Sequence, residues 1–115
     1  MEFICYPKCT TCIKARNWFI ANNIKFNERN IKENNPTKDE IIKFHKLSNL
    51  DINKLFNTSG LLYKELNLKE KLKEMTLDEK YDLLASNGML VKRPIIVLED
   101  KVFFGFKEEL LKTIL

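Results

Sequence analysis

Apolar residues near the start of the chain follow first the spacing of a strand and then the spacing of a helix. Residues 2–6 form a short apolar run, which is interpreted as a strand that ends before Pro7. Apolar side chains such as Phe19 then recur at helical intervals and predict a helix from residue 9 or 10 to about residue 22. Residues 25–29 are compatible with a second strand. This order indicates a β-α-β unit, in which the two strands are parallel.

The middle of the chain has the pattern of several amphipathic helices. Thr37 and Thr76 each have a glutamate three residues later, which is the spacing of a capping box at the start of a helix. Apolar positions between these two starts predict shorter helices near residues 52–56 and 61–66. We therefore expect a helical insertion over about residues 36–88.

The strand pattern returns near the end of the chain. Residues 94–98 form a β-branched apolar run, and after a polar turn Val102–Phe104 forms a second one, which predicts a β-hairpin. Residues 107–115 are expected to close the chain as a helix. The full order is β-α-β, several helices, then β-β-α, so the predicted fold class is α/β with a four-stranded mixed sheet. With 115 residues, the chain is expected to form one domain, residues 1–115.

Composition and charge narrow the classes of protein to which the chain can belong. With 44% hydrophobic and 31% charged residues, it has the composition of a folded globular protein rather than a disordered one. No apolar run approaches the roughly 20 residues of a membrane span, and no signal-peptide pattern is visible, so we expect a cytoplasmic protein without a membrane partner. The net charge of +4 comes from lysines interleaved with glutamates, which indicates a solvated surface and no direct binding of nucleic acid.

The three cysteines, Cys5, Cys9 and Cys12, all lie in the first dozen residues, which indicates local chemistry rather than a secreted disulfide scaffold. Cys9 and Cys12 are three residues apart at the predicted start of a helix, so their sulfurs can approach bonding distance. The free N–H groups and the positive dipole end of the helix are expected to lower the pKa of Cys9, which is therefore the predicted nucleophile. Cys12 would resolve a mixed disulfide by attacking the Cys9 sulfur. Cys5 is interpreted as a small buried apolar residue.

Two other interpretations of the cysteines stay open. The pair could be purely structural. It could also bind zinc, but only Cys5 and His45 are available as further ligands, and they lack a paired spacing. His45 itself is expected to be a surface residue on a helix of the insertion and not a general base.

Arg93 and Pro94 come directly before a predicted strand. A proline at this place can simply mark the entry to an edge strand. Alternatively, a cis peptide bond here brings the turn beside the cysteines. The fixed cation of Arg93 would then stabilise the thiolate of Cys9 or bind an oxyanion.

Four short stretches of sequence carry a resemblance that spans essentially the whole chain. They are YPKCTTC at residues 6–12, followed closely by KAR at 14–16, then NTSGLLY at 57–63 and KRPIIV at 92–97. In this order they resemble the Spx/MgsR branch of the ArsC (arsenate reductase-like) family. The resemblance implies a thioredoxin-like fold with a helical insertion between the two halves of the sheet.

The resemblance also implies roles for individual residues. Cys9 and Cys12 match a redox-active disulfide and Arg93 matches an oxyanion-binding arginine, so these three are the candidate catalytic residues. Neighbouring residues are expected to position the substrate or the backbone: Thr10, Thr11 and Pro94. The resemblance implies no bound cofactor and no metal, but an external thiol reductant such as thioredoxin, glutaredoxin or glutathione.

Three functions are compatible with the resemblance. The first is an oxidoreductase that acts on thiols and disulfides through Cys9 and Cys12. The second is a Spx-like transcriptional regulator, in which the disulfide is a switch and the partner is the C-terminal domain of the RNA polymerase α subunit. The third is a true arsenate reductase that depends on glutaredoxin or another thiol. Such reductases use further arginines, and the corresponding positions here, Asn57 and Gly105, carry no charge, so the third function is the least supported of the three.

Overall fold

A four-stranded sheet lies at the centre of the computed structural model, which describes residues 1–115. Its strands are β1 (Glu2–Cys5), β2 (Asn27–Asn30), β3 (Ile95–Val97) and β4 (Val102–Phe104). Their order across the sheet is β2-β1-β3-β4. Strand β1 is parallel to β2 and antiparallel to β3, and β4 is antiparallel to β3. The predicted α/β fold with a four-stranded mixed sheet is therefore confirmed.

Six α-helices surround the sheet, and four of them lie in the segment between β2 and β3. They are α1 (Thr10–Ala21), α2 (Lys38–Ser48), α3 (Leu61–Glu65), α4 (Leu68–Lys71), α5 (Leu77–Ser86) and α6 (Glu108–Leu111). Short turns of 3-10 helix join them at Ile52–Leu55, Leu72–Glu74 and Gly88–Leu90. None of these helices has the length and apolar character needed to cross a membrane.

Side chains of β1 alternate between the two faces of the sheet, and each face has its own core. Phe3 and Cys5 lie in the core with α1 and α6, where the ring of Phe3 meets that of Phe19 edge-on, with 5.3 Å between centroids. Ile4 lies in the opposite core, where the helices between β2 and β3 pack against the sheet. The members of that core without exposed surface are Ile4, Ile31, Ile41, Leu55, Leu84, Val91 and Ile95.

Both predicted capping boxes are present. The hydroxyl of Thr37 accepts the N–H of Glu40 at 3.2 Å, and the Glu40 carboxylate accepts the N–H of Thr37 at 3.0 Å. Thr76 and Glu79 make the same two hydrogen bonds, at 3.2 and 2.8 Å. Glu40 also forms a bidentate ion pair with Arg29 of β2, at 2.7 and 2.9 Å. Mainly through Arg29, these contacts lower the pKa of Glu40 to about 2.

The outer strand β2 starts later than the sequence predicts and has only polar side chains. The apolar residue of the predicted segment 25–29, Phe26, packs against the ring of Phe3 with 5.5 Å between centroids, and strand pairing begins at Asn27. Glu28 of the strand forms an ion pair with Arg16 of α1 at 2.6 Å. Phe26, which the sequence predicts to lie in the strand, therefore packs in the core just before the strand begins.

The last helix is shorter than the predicted segment 107–115, because α6 ends at Leu111. Leu111 is buried, whereas Leu110, Ile114 and Leu115 are exposed. A longer helix would bury little further apolar surface, and short helices depend on such burial for their stability. The apolar spacing also gives no indication of α4, which is separated from α3 by Asn67 in a left-handed conformation.

Candidate functional site

Cys9 is the residue before the first turn of α1, at the open end of the helix. Its N–H donates to the Tyr6 carbonyl at 3.0 Å, and its carbonyl accepts the N–H of Ile13 at 3.0 Å. The N–H groups of the first turn of α1 have no acceptor within the helix, so they can stabilise a thiolate at Cys9. The predicted place of Cys9 at the strand-to-helix connection is confirmed.

The sulfur of Cys9 is surrounded by hydrogen-bond donors. Burial raises the pKa of Cys9, because a charged thiolate loses contact with water. Hydrogen bonds from the N–H groups of Cys12 and Thr11 and from the guanidinium of Arg93 outweigh this effect. The pKa of Cys9 therefore lies below its ordinary value, and the side chain contains more thiolate at neutral pH than a free cysteine does.

Arg93 reaches Cys9 from the entry to β3. The peptide bond between Arg93 and Pro94 is cis, as one of the two interpretations of the sequence expects. Pro94 is buried, and its carbonyl accepts the N–H of Gly105 at 2.8 Å. The guanidinium lies over the ring of Tyr6, 5.4 Å from its centroid, and its Nη1 contacts the sulfur of Met89 at 3.3 Å. Its Nε has no hydrogen-bond partner in the protein.

An open cleft of about 390 Å³ adjoins Cys9. Three cationic side chains line it, Lys92, Arg93 and Lys107, and none of the lining residues is acidic. The exposed residues of the first helical turn also line the cleft: Thr10 and Thr11. A cleft that gathers cations beside a thiolate favours negatively charged ligands.

The segment between β2 and β3 supplies one wall of this cleft. The N–H of Asn57 donates to the Leu90 carbonyl at 2.8 Å, and the N–H of Lys92 donates to the Leu55 carbonyl at 2.8 Å. These hydrogen bonds join the insertion to the chain that leads into β3. They hold Asn57 on the cleft wall together with Ser59 and Gly60.

Two cleft lysines were not singled out by the sequence analysis. The neutral residues Asn57 and Gly105 do line the cleft, as the resemblance implies. However, Lys92 extends beside Gly105, since a Cβ built on Gly105 would lie 3.0 Å from the Cε of Lys92. Lys107 lines the same cleft. The available signal was the adjacency of Lys92 to Arg93 and of Lys107 to Gly105, but exposed lysines occur throughout this chain.

The other two cysteines are buried directly behind Cys9. Cys12 accepts the N–H of Tyr6 at its sulfur, at 3.4 Å, and its side chain packs in one cluster with Cys5 and Cys9. The Cys5 contact and burial raise the pKa of Cys12 far above its ordinary value. Cys5 is buried, as predicted, but Arg16 Nη2 lies 3.4 Å from its sulfur, so its surroundings are not purely apolar. All three cysteines are free thiols in this structure.

His45 lies away from the cysteines and is not the surface residue that the sequence predicts. It is half-buried, with Nδ1 2.6 Å from the Tyr81 hydroxyl and Nε2 2.8 Å from the Leu50 carbonyl. A carbonyl only accepts, so Nε2 carries the hydrogen and Nδ1 accepts from Tyr81. The contact joins α2 to α5. Because the two residues are far apart in the sequence, helical periodicity could not predict it. No group of three His, Cys, Asp or Glu side chains is arranged to hold a metal ion.

Comparisons with known proteins agree with the resemblance. The model of the ArsC family matches residues 5–114. The uncharacterised protein YusI of Bacillus subtilis (strain 168) is 50% identical over 109 residues, which cover 95% of this chain and 92% of YusI. The regulatory protein MgsR of the same organism is 36% identical over 113 residues, which cover 97% of this chain and 88% of MgsR.

A solved structure supports the fold directly. An ArsC family related protein from Bacteroides fragilis superposes with a TM-score of 0.95 at 49% sequence identity. The match covers 97% of this chain and 94% of that protein. The thioredoxin-like fold implied by the resemblance is therefore confirmed.

Proposed function

Since the chain belongs to the ArsC family, in the branch that includes MgsR, we propose that it is a thiol–disulfide redox protein with Cys9 as the nucleophile. One observation supports this most strongly: a thiol with a lowered pKa lies at a cationic cleft and contacts a second, buried thiol, that of Cys12. A purely structural pair would need neither the cleft nor the donors around the Cys9 sulfur.

The proposed reaction is two successive thiol–disulfide exchanges. The Cys9 thiolate attacks one sulfur of a disulfide substrate, forms a mixed disulfide and releases the other sulfur as a thiolate. Cys12 then loses its proton to solvent and attacks the Cys9 sulfur, which forms the Cys9–Cys12 disulfide and releases the second substrate thiolate. Two electrons have passed from the protein to the substrate. An external thiol of the cytoplasm, such as thioredoxin, glutaredoxin or glutathione, returns them.

The other cleft residues have supporting roles in this proposal. The cations Lys92, Arg93 and Lys107 attract a substrate that carries carboxylates or another negative charge. The side chains of Thr10 and Thr11 line the same cleft and can hydrogen-bond to the bound substrate. Arg93 acts twice, because it also donates to the thiolate.

The test uses glutathione disulfide, an anionic probe, and intact-protein mass spectrometry. The wild-type protein should gain an internal disulfide, and Cys12→Ser should accumulate a glutathione adduct on Cys9. Cys9→Ser should form neither the internal disulfide nor the glutathione adduct on the same timescale. Cys5→Ser is the matched control, because it keeps the proposed pair and should still form the internal disulfide. Oxidation of Cys9→Ser at the wild-type rate would contradict the proposal.

A second candidate is a redox-switched regulator, which the 36% identity to the regulatory protein MgsR favours. In this case the same disulfide would control binding to the C-terminal domain of the RNA polymerase α subunit. Binding of that domain to the reduced and oxidised protein, measured with Cys9→Ser as a form that cannot switch, tests this role. A redox-dependent affinity would support it, and no binding in either state would reject it.

Arsenate reduction is the third activity to measure, with a thiol donor and the same variants. The two cleft lysines do not reproduce the bidentate hydrogen bonds that arginines make to an oxyanion, because an ammonium group binds as a point charge. We therefore expect arsenate turnover no higher than that of Cys9→Ser. Turnover that depends on Cys9 would instead assign the arsenate reductase activity.

A further inference from the structure

The three cysteine side chains pack together in one cluster between the cleft and the core. Cys12 is the central member, since it contacts Cys9 towards the cleft and is hydrogen-bonded to Cys5 behind it. Neither Cys5 nor Cys12 has exposed surface. Cys5 ends β1 and Cys12 lies in the first turn of α1, so the inner contact joins two regular elements whose backbones are fixed.

The inner thiol, Cys5, has a charged neighbour that a small apolar residue would not need. Arg16 Nη2 lies 3.4 Å from the Cys5 sulfur. The guanidinium is held in place by Glu28, with Nε at 2.6 Å and Nη2 at 3.0 Å from the carboxylate oxygens. The contact with Cys12 lowers the pKa of Cys5, burial and Glu28 raise it, and Arg16 lowers it again, so that the net direction is downward.

We propose that Cys5 is a second resolving cysteine, whose thiolate attacks Cys12 once the Cys9–Cys12 disulfide has formed. The inference rests on the proposed function, which supplies that disulfide. The step forms the Cys5–Cys12 bond, breaks the Cys9–Cys12 bond and releases Cys9 as a thiolate. The Cys5 proton passes to solvent. No external oxidant or reductant takes part, because the oxidation is transferred from one pair to the other.

Two features of the site favour this transfer. Thiol–disulfide exchange proceeds best when the attacked sulfur lies between the attacking and leaving sulfurs, and Cys12 is the cysteine that interacts with both of the others. Cys9 is also a good leaving group, since the lower pKa of a leaving thiol speeds its departure. Arg16 is a positioning residue here, because it acts through the Cys5 thiolate. The result is a buried disulfide and a Cys9 that is free again at the cleft.

Trypsin can distinguish the two disulfides, because Lys8 separates Cys5 from the other cysteines. The protein is oxidised with glutathione disulfide, quenched in acid, alkylated with iodoacetamide and digested. A Cys5–Cys12 disulfide links peptide 1–8 to peptide 9–14, with the alkyl label on Cys9. A Cys9–Cys12 disulfide closes a loop within peptide 9–14 and leaves the label on Cys5.

We expect the wild-type protein to give the linked peptides with labelled Cys9. Cys5→Ala should give only the closed loop, with Cys9 protected from the label. If Cys5→Ala forms the loop and the wild-type protein also shows only the loop, the transfer to Cys5 is refuted while the proposed function stands. If Cys5→Ala forms no loop, the proposed function fails as well.

The role of Arg16 is tested by the initial rate at which the linked peptides appear. Arg16→Met should slow their appearance about threefold, because a smaller share of Cys5 is thiolate once the cation is lost. Lys14→Met is the matched control, since Lys14 is an exposed cation on the same helix and makes no hydrogen bond to Cys5. Because the cleavage site at residue 14 is then lost, the peptide with Cys9 and Cys12 ends at Arg16 in this variant. Thermal unfolding of both variants verifies that they are folded. Equal rates in the two variants would overturn the assigned role of Arg16.

Discussion

The substitution Arg93→Met tests how the structure activates Cys9. The Arg93 guanidinium favours the thiolate form of Cys9 and thereby lowers its pKa, and it lies over the Tyr6 ring, 5.4 Å from the ring centroid. Methionine has a similar length and keeps much of the apolar packing, but it has neither charge nor donor. The thiolate then keeps only the helix N–H groups of Thr11 and Cys12 as hydrogen-bond donors.

The expected size of the effect follows from the type of bond that is lost. A hydrogen bond to a charged group contributes about 1.5–3 kcal/mol. Cys9 is half-buried, so water replaces part of the lost interaction and about 1 kcal/mol remains. That amount corresponds to about a fivefold smaller ratio of thiolate to thiol. At pH values below the pKa of Cys9, Cys9 of Arg93→Met should therefore react with iodoacetamide up to about five times more slowly than in the wild-type protein.

The assay follows alkylation of Cys9 as a function of pH, with the site of labelling resolved by peptide mass spectrometry. Because the donors of the folded protein hold the pKa of Cys9 below its ordinary value, loss of a donor should move the reactivity curve towards higher pH. Lys92→Met is the control, since Lys92 lines the same cleft without donating to the sulfur. If both variants shift the curve equally, the effect comes from the general charge of the cleft and the assigned hydrogen bond is refuted.

Two further predictions concern stability, and both are measured by urea unfolding. The pKa of Glu40 is lowered to about 2. Its contribution to the free energy of unfolding is therefore complete above the ordinary carboxyl pKa and is lost as the pH falls from there to about 2. Glu40→Gln should lower the free energy of unfolding by about 1–2 kcal/mol at neutral pH after allowance for solvent exposure, and this difference from wild type should shrink in acid. Glu79→Gln, which has no arginine partner, should cost less. Equal, pH-independent losses in the two variants would contradict the reasoning. Gly88→Ala places a Cβ 1.9 Å from the backbone oxygen of Ile31 and should cost about 3 kcal/mol or more. In Gly60→Ala the new Cβ meets mainly the movable side-chain amide of Asn57, at 2.6 Å, and the substitution should cost less. A Gly88→Ala variant as stable as the wild-type protein would contradict the prediction and show that the backbone there can move.

Features encoded by neighbouring residues could be predicted from the sequence. The capping boxes at Thr37 and Thr76 depend on a pair of residues three positions apart, and both are present. The place of Cys9 before a helix follows from the adjacent strand, proline and apolar periodicity. Val102–Phe104 has the predicted bounds, because its apolar run lies between two clear breaks.

Features that depend on distant parts of the chain could not be derived in this way. Arg93 reaches Cys9 only because β3 pairs with β1 in the folded sheet, and the sequence indicated this contact only as one of two interpretations of Arg93 and Pro94. Lys92 and Lys107 look like any other exposed lysine until the fold brings them to one cleft. The contact of Arg16 with Cys5 has the same origin, since Cys5 alone has the pattern of an ordinary buried residue.

The all-polar strand β2 has a consequence for the behaviour of the protein in concentrated solution. Outer strands expose unpaired backbone groups, onto which a strand of another molecule can add. Here the strand is only four residues long, and its two charged side chains, Glu28 and Arg29, are already engaged by partners from the same molecule. A neighbouring chain that docked there would have to break those ion pairs and would bury no apolar side chain in return. Intermolecular sheet extension at this margin is therefore disfavoured, and the protein should stay monodisperse as far as this edge is concerned.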